Sequence, residues 1–167
     1  MTRLAERSRN ATLLLVEDSP GDVVLFRRAM ERMRLRIDLK VAISAEEGLE
    51  LLGTGLRPDL IILDLNLPHM NGFDFLDVVK GNAGLRRIPV LVFSTSTADS
   101  DVAACYDRHA NGYLSKPVGN ETYETILATL EAYWFRLMQT PPAGAGDVAR
   151  RWQETDGEAF TFDLRKI

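Results

Sequence analysis

The sequence predicts a doubly wound α/β fold, with five parallel strands and helices on both faces of the sheet. Short apolar runs of strand length alternate five times with longer segments whose apolar residues recur at helical spacing. Such alternation is typical of successive strand–helix units joined by right-handed crossovers. With 167 residues, of which 46% are hydrophobic and 26% charged, the chain has the size and composition of one domain plus a short tail.

The first unit begins with a continuous apolar run, Thr12–Val16, which is typical of a strand buried on both faces. Ser19 followed by Pro20 has the pattern of a helix N-cap with proline at the first helical position. We therefore expect a helix after this strand. Its apolar residues at helical spacing are Val23, Phe26, Met30 and Met33.

The second and third units repeat this pattern. Ile37–Ile43 is the predicted second strand, and Ser44 with Glu47 three residues later matches a capping box at the start of the second helix. Leu60–Leu63 is the predicted third strand, again a continuous apolar run. The third helix follows Asn71 and Gly72 and is marked by Phe73, Leu76 and Val79.

The fourth and fifth units complete the predicted sheet. Val90–Phe93 is the fourth strand, and a mostly polar helix with Cys105 on its apolar side follows it. Gly112–Ser115 is a short fifth strand that stops before Pro117. The last helix has the most regular helical spacing in the sequence, with Tyr123, Ile126, Leu127, Leu130, Trp134 and Leu137.

The predicted domain covers residues 11–138, and the two ends of the chain differ from it in composition. Residues 1–10 lack an apolar stretch and are expected to form a flexible arm. Residues 139–147 are rich in Pro, Gly and Ala and are predicted to be a linker. Residues 148–167 are too few to build a core, which leaves two alternatives open: a small hairpin docked on a neighbouring surface, or disorder.

Composition excludes several classes of function. A net charge of −4 and a pI near 5.2 provide no general attraction to phosphate backbones, so no nucleic-acid partner is expected. No apolar run approaches the roughly 18 to 20 residues that a membrane span requires, and no secretory signal is recognisable. The single cysteine, Cys105, excludes an internal disulfide. We therefore expect a cytoplasmic protein without a membrane partner.

Candidate functional residues follow the strands, because the crevice of a doubly wound sheet lies at the carboxyl ends of its strands. Glu17 and Asp18 follow the first strand, and Asp64 follows the third. If the strand order is 2-1-3-4-5, as in the flavodoxin type of doubly wound sheet, these two strands are neighbours and the three carboxylates share one pocket. Ser94 after the fourth strand and Lys116 after the fifth would reach the same edge of the sheet.

Carboxylates this close together require compensating positive charge. Two charges about 4 Å apart repel by roughly 4 kcal/mol at an effective dielectric constant near 20. Lys116 supplies one positive charge, and an oxygen-only ligand set favours Mg²⁺ over zinc for the remainder. Such a site suits acyl-phosphate chemistry, in which Asp64 attacks a phosphoryl group while the cation, Lys116 and the Ser94 hydroxyl neutralise its oxygens.

These residues resemble the receiver domain of two-component response regulators, which has a flavodoxin-like fold. The resemblance covers about Ala11–Leu137 and includes every unit in the correct order. The residues that carry it are Glu17 and Asp18, Asp64 with Pro68 and Gly72 after it, Ser94, and Lys116 with Pro117. Two positions depart from the commonest pattern: Glu17 stands where aspartate is usual, which bears on metal geometry, and Thr95 stands where a smaller residue is usual, which bears on access to the phosphoryl group.

The resemblance implies a role for each of these residues. It implies that Asp64 is the phosphoacceptor, that Lys116 contacts the phosphoryl group, and that the chain is not an enzyme beyond reacting with small phosphodonors and losing its phosphoryl group. Ser94 and Tyr113 would be the switch residues. The implied ligands of Mg²⁺ are Glu17, Asp18, Asp64 and the backbone carbonyl of Asn66.

A narrower resemblance concerns partners. The segments 94–96 and 133–135 are similar to those of stand-alone regulators that work with phytochrome-type histidine kinases. A sensor histidine kinase, with a bacterial phytochrome as one option, is therefore the implied phosphoryl donor, and output would pass through the surface of the fourth helix, fifth strand and fifth helix. Tyr133, Trp134 and Phe135 suggest a homodimer through that surface, although contact with the tail aromatics is the alternative.

Two other functions remain as alternatives. A haloacid-dehalogenase-like phosphohydrolase also uses an aspartate nucleophile on a doubly wound sheet, but its acid–base aspartate would correspond to Asn66, which does not transfer protons usefully. A pseudo-receiver that serves only as a scaffold is disfavoured because Asp18, Asp64 and Lys116 are all present.

Overall fold

The computed structural model describes residues 11–118 and 122–137, with side chains described as far as residue 135. The predicted arm, linker and tail at 1–10, 139–147 and 148–167 lie outside the described residues. The elements are β1 Ala11–Val16, α1 Pro20–Arg32, β2 Ile37–Ala42, α2 Ala45–Gly53, β3 Leu60–Leu63, α3 Gly72–Gly81, β4 Val90–Ser94, α4 Asp99–Asp107, β5 Gly112–Ser115 and α5 Tyr123–Leu130. A π-helical segment, Glu131–Leu137, continues α5.

The five strands form one parallel sheet in the order β2-β1-β3-β4-β5, which confirms the predicted fold class. Val16 at the end of β1 pairs with Leu63 at the end of β3, so both strands end at the same level. One more backbone hydrogen bond follows this pair: the amide of Asp64, the first residue after β3, donates to the Val16 carbonyl at 3.0 Å. The residues after β1 and β3 therefore start side by side.

The central strands β1, β3 and β4 are buried on both faces, which explains why they are continuous apolar runs, whereas the edge strand β2 exposes Asp38 and Lys40. Leu14 and Val16 of β1 face the layer formed by α2, α3 and α4. Leu13 and Leu15 face the opposite layer, formed by α1 and α5. Cys105 is completely buried in the first layer, as predicted for a small apolar residue on a helix.

The helix starts differ in detail from the predicted pattern. The strand before α2 ends at Ala42, and Ile43 is 64% exposed. Ser44 caps α2 as expected by accepting from the Glu47 amide, but the Glu47 carboxylate accepts from the amide of Ile43. A capping box with both reciprocal hydrogen bonds is found instead at the start of α3, which the sequence analysis did not identify as one.

The last helix presents less apolar surface than the sequence suggested. Leu127, Leu130 and Trp134 are buried against β1, β3, β4 and α1. Trp134 was predicted as an interface residue, yet its side chain is only 8% exposed because it fills the domain's own core. Tyr133 is 49% exposed, and Phe135 is partly buried. Among the described residues, no helix is long and apolar enough to cross a membrane.

Candidate functional site

An acidic cluster lies at the carboxyl ends of β1 and β3. One carboxylate oxygen from each of Glu17, Asp18 and Asp64 lies within 4.8 Å of the other two. Glu17 and Asp64 are buried, whereas Asp18 is exposed at the mouth of the cluster. The structure thus brings together the three carboxylates that the strand order led us to expect in one pocket.

Lys116, directly after β5, points its ammonium group into this cluster. Its Nζ lies 2.6 Å from Glu17 Oε2, and it lies 3.4 Å from Asp64 Oδ2. Burial by itself would lower the pKa of Lys116, but hydrogen bonds to Asp22 and Glu17 outweigh burial and raise the pKa above its ordinary value. The lysine therefore carries its charge throughout the physiological pH range.

Asp22 is a fourth carboxylate of the site, which the sequence analysis missed. Its Oδ2 accepts from Lys116 Nζ at 2.9 Å, and its Oδ1 accepts from the Tyr123 hydroxyl at 3.0 Å. An acidic residue in the first turn of a helix is ordinarily explained by the helix dipole, so its type alone gave no signal. Its position four residues after Asp18, beside the predicted pocket, could have indicated a role in the site.

Burial and neighbouring charge also affect the protonation of the cluster. Burial raises the pKa of Glu17 from 4.5 to about 7, with the hydrogen bond from Lys116 opposing the rise and the charge of Asp64 adding to it. Burial likewise opposes ionisation of Asp22, but its hydrogen bond from Lys116 brings its pKa below the ordinary value. The pocket therefore contains more negative charge than its single lysine compensates.

The arrangement fits a divalent cation. Within residues 11–118 and 122–135, Asp64 Oδ1 is buried and has no hydrogen-bond partner. An orphaned carboxylate oxygen is costly in a protein interior, and a cation bound there would satisfy it. Carboxylate oxygens are the ligands that hard cations such as Mg²⁺ prefer. Asn66, whose backbone carbonyl is a further predicted ligand, lies in the exposed loop after β3.

The predicted switch residues are connected through Ser96, in the loop between β4 and α4. Ser94 is completely buried at the end of β4, and its Oγ accepts from the Ser96 amide at 3.2 Å. The half-buried Tyr113 of β5 donates from its hydroxyl to the Ser96 carbonyl at 2.9 Å. The Ser96 hydroxyl in turn donates to Asp101 of α4 at 2.6 Å. A hydrogen-bonded path therefore runs from the Ser94 hydroxyl to α4 and β5.

The start of α3 packs directly on the backbone that holds Asp64. A Cβ atom added at Gly72 would lie 2.5 Å from the Asp64 carbonyl oxygen and 2.7 Å from Leu65 Cα. The Gly72 amide also donates to the Leu65 carbonyl at 3.0 Å. Only glycine allows this close approach, so Gly72 fixes the turn that presents the Asp64 carboxylate.

Comparison with known proteins identifies the family to which this site belongs. The family model for the response regulator receiver domain matches residues 13–128, which include every site residue described above. The chain belongs to this family. The receiver fold and the acidic cluster therefore occur together here, and a haloacid-dehalogenase-like phosphohydrolase is not favoured.

Two curated relatives illustrate the similarity of this receiver to known proteins. The probable methanogenesis regulatory protein FilR2 of Methanothrix harundinacea is 37% identical over 134 residues, which are 77% of this chain and 86% of FilR2. Response regulator Rcp1 of Synechocystis sp. is 35% identical over 137 residues, which are 78% of this chain and 93% of Rcp1. These two curated relatives are matched over nearly their whole length.

Solved structures match the receiver fold equally well. The Mn²⁺-bound form of Rcp1 superposes with a TM-score of 0.72 and 32% identity, covering 78% of this chain and 99% of that one. The phosphorylated cyanobacterial phytochrome response regulator RcpA superposes with a TM-score of 0.73 and 31% identity, covering 79% and 99%. This chain is therefore a response regulator receiver homologous to Rcp1 and RcpA.

Proposed function

We propose that this receiver accepts a phosphoryl group on Asp64 from the phosphohistidine of a sensor histidine kinase, with Mg²⁺ as its cofactor. The observation that carries the proposal is the environment of the Asp64 carboxylate. Its Oδ2 lies 3.4 Å from Lys116 Nζ, its Oδ1 is buried without a hydrogen-bond partner among the described residues, and the carboxylates of Glu17 and Asp18 lie close by. One oxygen of Asp64 can therefore bind the cation while the other attacks phosphorus, and Lys116 supplies positive charge near the phosphoryl group.

The transfer requires one bond to form and one to break. An oxygen of Asp64 bonds to phosphorus as the phosphorus–nitrogen bond of the donor histidine breaks, and the imidazole departs with its electron pair. Lys116 and the Ser94 hydroxyl are the groups of this chain that would bind the phosphoryl oxygens. Bound Mg²⁺ would supply positive charge for those oxygens, held by Glu17, Asp18 and Asp64. The structure of a Mn²⁺-bound relative supports a divalent cation in this role.

Phosphorylation would be read out through the switch residues. A phosphoryl group adds about −1.5 to −2 charge, which attracts the Ser94 hydroxyl away from the Ser96 amide. Tyr113 is bonded to the same Ser96, so its ring position would change with that loop. We propose that the resulting change in the α4–β5–α5 surface is the output signal and that a homodimer forms through this surface. The Tyr133 ring is 49% exposed and is therefore available for such contact.

The identity of the kinase is proposed from the relatives. RcpA is a phytochrome response regulator, and its phosphorylated form resembles this chain over 99% of its own length. We therefore propose a bacterial phytochrome as one candidate for the histidine kinase that phosphorylates Asp64. We also propose a cytoplasmic location, as expected from the sequence. The single cysteine is free, which suits a reducing compartment.

Incubation with acetyl phosphate and Mg²⁺, followed by intact-mass analysis, tests the proposal. Wild type should gain the mass of one phosphoryl group, while Asp64→Asn and wild type with a chelator should gain none. Size measurement of both forms tests the homodimer. Failure of wild type to react would favour the scaffold alternative, and steady turnover of small phosphoesters would favour the phosphohydrolase.

A further inference from the structure

We propose that Asp22 is a positioning residue for Lys116 and that, through Tyr123, it connects the phosphoacceptor pocket to the first turn of α5. The inference rests on the proposed function, because the event that would move Lys116 is phosphorylation of Asp64. Phosphorylation of Asp64 would then affect α5 by a second route, in addition to the one through Ser94 and Tyr113.

The ammonium group of Lys116 is surrounded by three carboxylates. It donates hydrogen bonds to Glu17 and Asp22, whereas its contact with Asp64 is an ion pair at longer range. Glu17 lies at 2.6 Å, Asp22 at 2.9 Å and Asp64 at 3.4 Å from Nζ. The predicted phosphoacceptor is therefore the most distant of the three partners, and the lysine is held mainly by the other two.

A phosphoryl group on Asp64 would compete for these hydrogens. Its added charge of about −1.5 to −2 attracts Lys116 toward Asp64, and this movement of Nζ would lengthen the hydrogen bonds that it now donates to Glu17 and Asp22. The Glu17 side chain is only 2% exposed, whereas that of Asp22 is 29% exposed. Water can replace the hydrogen bond lost by Asp22 but not the one lost by Glu17, so Asp22 is the partner that Lys116 releases at lower cost.

Loss of the hydrogen bond from Lys116 to Asp22 would directly affect Tyr123, the other partner of Asp22. The two oxygens of Asp22 bind different groups, since Oδ2 accepts from Lys116 and Oδ1 accepts from the Tyr123 hydroxyl. The Tyr123 ring packs edge-on against Phe26 of α1 and Phe93 of β4, with centroids 6.4 and 5.7 Å away. Because the ring is confined, a move of the Asp22 carboxylate changes the hydrogen bond of the Tyr123 hydroxyl.

A change in the hydrogen bond of Tyr123 would affect the contacts between α1 and the first turn of α5. Tyr123 is the first residue of α5, and the next residue, Glu124, accepts from Arg32 of α1 at 2.7 Å. The first turn of α5 is thus tied to α1 by one partly buried contact, from Asp22 to Tyr123, and by one exposed contact. A groove of about 300 Å³ opens beside these contacts, with Leu25 and Arg28 of α1 along its wall. If phosphorylation weakens the hydrogen bond between Asp22 and Tyr123, the shape of this groove should change.

Fluorine NMR of the full chain labelled with 3-fluorotyrosine tests the inference. The chain has four tyrosines, and the signal of Tyr123 is assigned from its loss in Tyr123→Phe. Acetyl phosphate and Mg²⁺ should shift the Tyr123 and Tyr113 signals of wild type. With Asp22→Asn and wild type compared at the same phosphorylated fraction, as measured by intact mass, the Tyr113 signal of the variant should still respond, but its Tyr123 response should be lost. Glu124→Ala, which removes the exposed contact with Arg32 and leaves the Asp22–Tyr123 hydrogen bond in place, should keep both responses.

Each outcome decides a different point. A Tyr123 signal that stays unchanged in fully phosphorylated wild type overturns the inference without the use of any variant that alters the pocket. A Tyr123 response that persists in Asp22→Asn overturns the role of Asp22 as the connection. If intact mass shows that wild type takes up no phosphoryl group, the proposed function itself fails and this inference fails with it.

Discussion

The Tyr113 hydroxyl donates a hydrogen bond of 2.9 Å to the carbonyl oxygen of Ser96. The same serine accepts the Ala98 amide on its hydroxyl at 3.3 Å and donates to Asp101. In the described part of the chain, α4 has no side-chain hydrogen bond from its own N-cap, Ala98. The Ser96 hydroxyl, two residues before the N-cap, therefore provides the side-chain hydrogen bonds at the start of α4.

Ser96→Ala should therefore destabilise the start of α4. Loss of a helix-capping hydroxyl costs about 1 kcal/mol, and the Asp101 carboxylate also loses its donor. We expect a comparable fall in the free energy of unfolding in urea, with faster amide exchange in α4. Ser100→Ala is the matched control, because Ser100 is exposed in the same helix. An equal effect of the two substitutions would contradict this role of Ser96.

Gly72→Ala should disturb the site without any change of charge. The new methyl group would lie 2.5 Å from the Asp64 carbonyl, so the backbone on one side must move. We expect a fall in the free energy of unfolding of roughly 1 to 3 kcal/mol, as for overpacking in a core, together with slower reaction with acetyl phosphate. In Gly81→Ala no described atom lies within 4 Å of the new methyl group, so this variant should react at the wild-type rate. Normal stability and reactivity of Gly72→Ala would show that the close approach is unimportant.

Lys116→Met should leave the buried carboxylates without the ammonium group that neutralises part of their charge. Removing one partner of a buried ion pair costs roughly 3 to 5 kcal/mol, and Mg²⁺ should restore part of that loss. Lys40→Met is the control, because Lys40 pairs with Asp38 at the exposed surface and should change stability by less than about 0.5 kcal/mol. The two melting temperatures, measured with and without Mg²⁺, compare the variants.

The loss in Lys116→Met should also depend on pH. Burial already raises the pKa of Glu17 to about 7, and the lysine that opposes this rise would be gone. A raised pKa in the folded state means that folding binds protons, so the variant should regain stability as the pH falls through 7 toward the ordinary value of 4.5. Unfolding curves of chelated protein at pH 8 and pH 6 measure this. A variant that is less stable at the lower pH would contradict the sign.

Much of the fold follows from local pattern. Thr12–Val16 and Leu60–Leu63 are apolar throughout because the strands are covered on both faces, and such runs are visible in a sequence. The carboxylates of Glu17, Asp18 and Asp64 could be placed together because parallel strands end at one edge. These predictions depend only on the order of elements along the chain.

The features that were missed depend on contacts between distant residues. Asp22 is 94 residues from Lys116 and 101 residues from Tyr123, so its partners do not follow from any local pattern, and only its position near Asp18 could have indicated a role in the site. Trp134 is different, because its place on the apolar stripe of the last helix already indicated a core position, and its burial agrees with that stripe and not with its inclusion among the interface residues. The partners of Asp22 depend on tertiary packing, which the spacing of residues along one element does not determine.

Cys105 should be unreactive in the folded protein. Burial raises the pKa of its thiol to about 11, with the charge of Asp101 adding to the rise. At pH 8 only roughly one molecule in a thousand would carry the reactive thiolate, which is also inaccessible to solvent. Iodoacetamide should therefore label the chain slowly in buffer and rapidly in urea, as followed by intact mass. Rapid labelling in buffer would show that α4 opens readily.

The most direct test of the account is to locate the phosphoryl group on the chain. Borohydride reduces an aspartyl phosphate to homoserine, so the modified residue can be identified by peptide mass spectrometry after treatment with acetyl phosphate and Mg²⁺. The account predicts homoserine at position 64, dependent on Mg²⁺ and absent in Asp64→Asn. Homoserine at another carboxylate, such as position 18 or 22, or at none, would contradict it.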